Sequence, residues 1–268
     1  MDTKKKIGLN AIFFILTLVV NTLGGLGIIN DMSQSDVSDK YFTLITPAGF
    51  TFSIWSVIYG LIAVSLVVLY LRRETSYYQR VLDKITPLFI LTSVLNMAWI
   101  VLFSYELVEL STLFIFAYTI VLSLICKQLL AINDGKHFLL PLTFGLNTGW
   151  LMIATVVNVA SSLVKLEWNG FGLSDDLWGM IILLVAILIV IFVTTQTQNA
   201  AIPLPIAWAY FGTHQSLATE HPGDYGILQL IAIIGLVVLI GVAAIQLYKN
   251  EYFILPKTPN DSNRLTTK

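Results

Sequence analysis

The chain has 268 residues, 56% of them hydrophobic and only 12% charged, with a formal net charge of -1 and a mean hydropathy of +0.81. A soluble domain carries about 25% charged residues, so this composition excludes an ordinary soluble enzyme and fits an all-α integral membrane protein whose first partner is the lipid bilayer. The near-neutral charge gives no footing for a nucleic-acid partner.

A spanning helix needs roughly 20 apolar residues to cross a hydrocarbon core about 30 Å thick. On that ruler the sequence predicts a bundle of about eight transmembrane helices, over residues 7–29, 50–71, 87–104, 110–131, 138–163, 177–195, 200–216 and 226–248. The first follows MDTKKK and is read as a retained span, because its apolar run is long and no small-residue cleavage pattern follows. The seventh is short and carries Pro203 and Pro205 near its start, where a membrane helix tolerates them. The charges argue for it. With eight spans, thirteen of the fifteen Lys and Arg residues fall on one side, and only Lys40 and Lys165 on the other. The positive-inside rule then places both termini in the cytoplasm of a multi-pass cell-membrane protein, and seven spans would put the basic tail outside. Three units follow: a five-helix core over 7–164, three further helices over 177–248, and a polar tail over 249–268 expected to be disordered. The outer loop at 30–49 is long enough to act as a lid.

Inside the spans ionisable groups are scarce. Lys127 lies near a helix end and can snorkel, His137 and His221 sit in or beside loops, and only His214 is near a helix. No motif or cluster assembles a catalytic or metal site, and the lone Cys126 in an apolar run reads as a small core residue. The expectation is therefore no catalytic residue, no metal, no enzyme activity and no built-in cofactor. Proton-coupled transport is also disfavoured.

The spans hold amides and aromatics instead. Asn21 lies in the first, Trp55 and Tyr59 in the second, Asn96 and Trp99 in the third, Trp150 and Asn158 in the fifth, Trp208 and Tyr210 in the seventh. Asn96 and Trp99 are three apart, and Trp150, Ala154 and Asn158 are spaced by four, so each set shares a helix face. A buried Asn also serves simply to bond across helices, and Trp also favours the membrane interface, where Trp168 and Trp178 fall. Converging aromatic walls with a few amides would make a pocket for a flat, largely apolar molecule.

In order along the chain, TPAGFTFSIWSVIYGLIA, VLNMAWIVLF and LPLTFGLNTGWLMIATVVN resemble the motifs of the translocator protein/tryptophan-rich sensory protein (TspO/MBR) family. The positions that carry the resemblance are Pro47, Phe52, Trp55 and Tyr59; Leu95, Asn96 and Trp99; and Pro141, Trp150, Ala154 and Asn158. The chain has one proline where the family's second-helix motif has two, and Val157 where leucine is usual. The resemblance spans about residues 7–164 and marks an enlarged, divergent member. It implies a sensor or receptor bundle that binds porphyrin, haem or a related hydrophobic small molecule beneath the loop after the first helix. The ligand-binding residues it implies are Trp55, Tyr59, Asn96, Trp99, Trp150, Ala154 and Asn158. A homodimer is an admitted partner. The rival readings are a small-molecule permease and a structural or regulatory membrane subunit.

Overall fold

The computed structural model describes residues 2–257. Within them the chain is built from α1 (Thr3–Gly25), α2 (Gln34–Lys40), a 3-10 turn (Gly49–Ser53), α3 (Ile54–Leu71), α4 (Ser76–Ser104), α5 (Val108–Ala131), α6 (Leu139–Lys165), a short 3-10 turn (Gly170–Gly172), α7 (Asp175–Thr197), α8 (Pro203–Glu220) and α9 (Gly226–Lys249). Helices are the expected solution in lipid, because each backbone N–H and C=O must find its partner within the segment.

Seven of the helices are long and apolar enough to cross a membrane; α8 is not among them by composition. Its packing explains why. The chain enters α8 at the end of the bundle where Asn199 donates to Pro141 O at the start of α6. It leaves α8 at the opposite end, where His221 packs against Phe42 at a ring separation of 5.9 Å. It therefore traverses the bundle as an eighth crossing element, and because Ala207, Ala209, Tyr210, Gly212, Thr213 and Ser216 are buried, it needs no lipid-facing apolar coat.

Most spans turn one apolar side to lipid, with Ile12, Phe116, Leu188 and Ile234 all exposed, and α6 is the exception: 72% of its apolar window is buried, against 22–44% in the other six. Its sequence permits this central place. Gly145 and Gly149 let neighbours approach, and its hydroxyls bond outward to other helices. Thr143 meets Ser65 of α3 at 3.0 Å, Thr155 meets Thr119 of α5 at 2.8 Å, and Ser162 meets Thr112 of α5 at 2.7 Å. Cys126 is buried, its Sγ 3.3 Å from Thr148 Oγ1.

Two boundaries differ from expectation. The third span was expected to start at residue 87, yet α4 begins at Ser76 and runs through Pro87; Arg80, Asp83 and Lys84 interrupt the apolar run without interrupting the helix. Lys6 of α1 pairs with Asp83 there, so the first turns of α1 and α4 lie at the same, basic end. The tail expected to be disordered from 249 divides. Lys249 closes α9, and residues 250–257 fold back onto the bundle: Ala200 N donates to Ile254 O at 3.0 Å, Asn133 donates to Pro256 O at 2.6 Å, and Leu255 is 4% exposed. Residues 258–268 lie outside the described residues.

Candidate functional site

At the end of the bundle opposite the basic face, α1, α3, α4 and α6 part around a cavity of about 440 Å³. Trp55, Tyr59, Trp99, Trp150, Ala154 and Asn158 all line it, with Phe52 and Phe103. Trp55 stacks on Tyr59 (5.2 Å between centroids, 18° between planes), lies 6.4 Å from Trp99, and meets Trp150 edge-on at 6.2 Å. Phe52 also meets Trp150 edge-on, at 5.9 Å. The aromatics are thus held by one another in the offset and edge-to-face arrangements that their quadrupoles favour. Among the described residues the wall carries no Asp, Glu, Lys, Arg or His.

The amides fix this geometry from behind. Trp99 Nε1 donates to Asn158 Oδ1 at 2.9 Å. Asn158 Nδ2 in turn faces Thr112 Oγ1 at 2.7 Å and Ser111 Oγ at 3.1 Å, so one side chain ties α4, α5 and α6 together. Asn96 is fully buried but is not on the cavity wall. It accepts from Asn21 Nδ2 at 2.5 Å, and Asn21 Oδ1 accepts from the Tyr59 hydroxyl at 2.8 Å, forming a polar layer across α1, α3 and α4. Asn21, noticed in the sequence but matching no motif, is both a wall residue and the link in this layer. Trp150 differs from Trp99: among the described residues its buried indole nitrogen has no hydrogen-bond partner. Of the other span aromatics, Trp208 donates to Thr51 O at 3.0 Å and Tyr210 to Leu183 O at 2.5 Å; both brace α8 and neither lines the cavity.

The roof is the segment 30–49. Asn30 and Asp31 turn the chain with left-handed backbone (φ 59° and 53°), which these residue types tolerate. A capping box starts α2, Ser33 Oγ accepting from Asp36 N while Ser33 N donates to the Asp36 carboxylate. Ser33, Gln34, Ser35 and Ser38 face the cavity, so an aromatic floor lies under a roof of hydroxyls and an amide. Val37 is buried against Phe103 and Val108. A Cβ on Gly24 would overlap Gln34 and Ile100, so α2 sits directly on the end of α1. The roof is pinned at both ends. Asn30 donates to Ser104 O at 3.1 Å; at the other, α8 holds the return, with Thr213 Oγ1 donating to Ile45 O and Ala48 N to Gly212 O, both at 3.1 Å.

Beyond α2, Lys40 pairs with Glu106 and Tyr41 donates to the same carboxylate at 2.7 Å. The Lys40 and Tyr41 hydrogen bonds hold the Glu106 carboxyl below its ordinary range, against an opposing effect of burial. A depressed carboxylate pKa means that the contact is fully present above the ordinary value and is lost as pH falls through the lowered one. Accessibility of a cysteine placed at the buried, cavity-facing Ser38 to a water-soluble thiol reagent is therefore expected to be flat near neutrality and to rise as the pH falls through the lowered Glu106 value, by up to about fivefold for an exposed pair. In Glu106→Gln it should already be raised at neutral pH and lose that acid step; a wild-type-like profile in this variant would refute the clasp.

A family model described as TSPO-like protein matches residues 7–245. No curated protein and no solved structure matches the chain. The match runs past residue 164, where the motif resemblance ends, and takes in α7, α8 and most of α9; of these, α8 holds the return of the roof. This multi-pass helical membrane protein belongs to the TSPO-like protein family.

Proposed function

We propose that the protein binds a flat, largely apolar ligand of the porphyrin class in the cavity beneath the roof, as a sensor or regulator in the cell membrane with both termini cytoplasmic. The observation that carries this reading is the set of four aromatics in which Trp55 packs against Tyr59, Trp99 and Trp150, around a cavity of about 440 Å³ with no charged wall residue among the described residues. That size lies within the ~300–1,000 Å³ range of small-molecule sites, and apolar walls with a few polar groups are their usual make-up. The ring faces suit stacking on a planar macrocycle. The polar roof suits its substituents, and the unpartnered Trp150 N–H offers a donor to an acceptor on the ligand. The layer of Asn21, Tyr59 and Asn96 adjoining the cavity supports binding over the passage that a permease would need. The bracing of the roof by α8 gives the three C-terminal helices a supporting role in the same reading.

Titration of the purified protein with protoporphyrin IX, followed by tryptophan fluorescence, should give saturable quenching. Trp99→Phe and Trp150→Phe should each weaken binding by about three- to tenfold, the scale of one aromatic contact. Linear, non-saturating quenching, or unchanged affinity in both variants, would refute the proposal.

A further inference from the structure

A second recess lies on the lipid-facing side of the bundle where α5 and α7 diverge over α6, sharing Ile153 with the wall of the site above. It has a volume of about 340 Å³. Phe116, Ile120 and Leu124 of α5 form one wall, and Ile189, Phe192 and Val193 of α7 the other. The hydroxyls along it are turned onto helix carbonyls: Thr119 donates to Ile115 O at 3.0 Å, Ser123 to Thr119 O at 2.9 Å, Thr155 to Leu151 O at 2.7 Å and Thr197 to Val193 O at 2.8 Å. What the groove presents is therefore hydrocarbon surface. At its basic end stand Lys127 and Gln196, both exposed and both lining the groove. Among the described residues neither has an ion-pair or hydrogen-bond partner, and Lys127 is the only charged side chain in the lining.

The dimensions narrow the occupant. From Phe116 to Lys127 the groove follows α5 for about 16 Å at 1.5 Å per residue, close to one leaflet of a core about 30 Å thick. A volume of about 340 Å³ drawn out over that length suits an extended hydrocarbon chain lying along α5. An apolar trough of one-leaflet depth, ending at an unpaired ammonium and a free amide, is complementary to an amphiphile with an anionic head. We propose that it holds one acyl chain of an anionic phospholipid from the leaflet at the basic end, with the phosphate at Lys127 and Gln196. The lipid would fill the gap between the five-helix core and α7, and so hold the two parts of the bundle together. This inference stands independently of the porphyrin reading.

Native mass spectrometry of the full-length protein, supplied with equal amounts of phosphatidylglycerol and phosphatidylcholine of the same acyl composition, tests it. The wild type should retain one phosphatidylglycerol in preference to phosphatidylcholine. Lys127→Ala should lower that preference about fivefold, the worth of one lysine at an anionic surface, while Lys84→Ala, at the same end but outside the groove, should leave it unchanged. Val193→Trp, which narrows the trough, should reduce retention of both lipids with the thermal midpoint reported alongside as a check on folding. Equal retention of the two lipids by the wild type, an unchanged preference in Lys127→Ala, wild-type retention in a folded Val193→Trp, or a lipid-free protein dimer would each overturn the proposal.

Discussion

Gly149→Ala is expected to destabilise the bundle by about 1–3 kcal/mol, the usual cost of forcing a methyl into a filled core. A Cβ at this position would overlap the carbonyl oxygen of Ile202 and lie 3.1 Å from both Ile202 C and Pro205 Cδ. Neither neighbour is free to yield. Ile202 is fully buried, and the backbone before it is fixed by Asn199, whose Nδ2 donates to Pro141 O at 2.8 Å and whose Oδ1 accepts from Ala201 N at 2.9 Å. The prolines at 203 and 205 hold φ rigid after it. Gly60→Ala is the matched control, because no atom lies within 4 Å of the added carbon; it should be neutral or stabilising by up to about 1 kcal/mol through helix propensity. Thermal midpoints of the two variants, measured in the same detergent, decide the point. Equal midpoints would mean that α6 and α8 do not make this contact.

Asn158→Ala should have the second large effect, and it should reach the cavity. Its loss leaves the Trp99 indole N–H buried without an acceptor and the Ser111 hydroxyl without its α6 partner, while Thr112 keeps only Ser162 and the α6 backbone. A buried unsatisfied donor costs about 1–3 kcal/mol, whereas an interhelical hydrogen bond in a membrane averages only ~0.6 kcal/mol. The orphaned indole therefore dominates. Released from Asn158, Trp99 is free to rotate out of its contact with Trp55, so protoporphyrin affinity should fall by about tenfold or more, at the 1–3 kcal/mol scale of the lost acceptor. Affinity within twofold of the wild type in a folded Asn158→Ala would assign that network to structure alone.

The spans were legible because a membrane imposes a length and a composition that local sequence cannot hide. Even α8, whose run IPLPIAWAYFGTHQ lacks the apolarity of its neighbours, could be placed by the sidedness of the Lys and Arg residues alone. What could not be read is what charge and polarity conceal. Arg80, Asp83 and Lys84 mask a helix that continues beyond the apolar run, and the polar residues 250–257 resemble a free tail until their partners, Asn133 and Ala200, are known. The same division holds at the site. Helical spacing put Trp150, Ala154 and Asn158 on one face, and the fold brings them together with Trp55, Tyr59 and Trp99. Spacing could not separate a residue on the wall from one behind it, which is why Asn96 was grouped with the others. The roof helix did leave a signal in SQSD, a capping box of Ser33 and Asp36, but an amphipathic stretch of seven residues is too short to register as periodicity. Asn199 left none: it lies in a polar break between spans, and its importance comes from the Pro141 carbonyl that it reaches across 58 residues.

The fold-back of residues 250–257 also bears on how the molecule is made. The loop after α5 and the entry to α8 receive their last partners, at Asn133 and Ala200, from chain that follows every span. During synthesis each helix can enter the bilayer in turn, yet the basic end stays open until α9 has been inserted and the segment after it has emerged. Assembly is thus completed by a late clasp, and a nascent chain halted at Lys249 would hold all eight crossing helices without being locked.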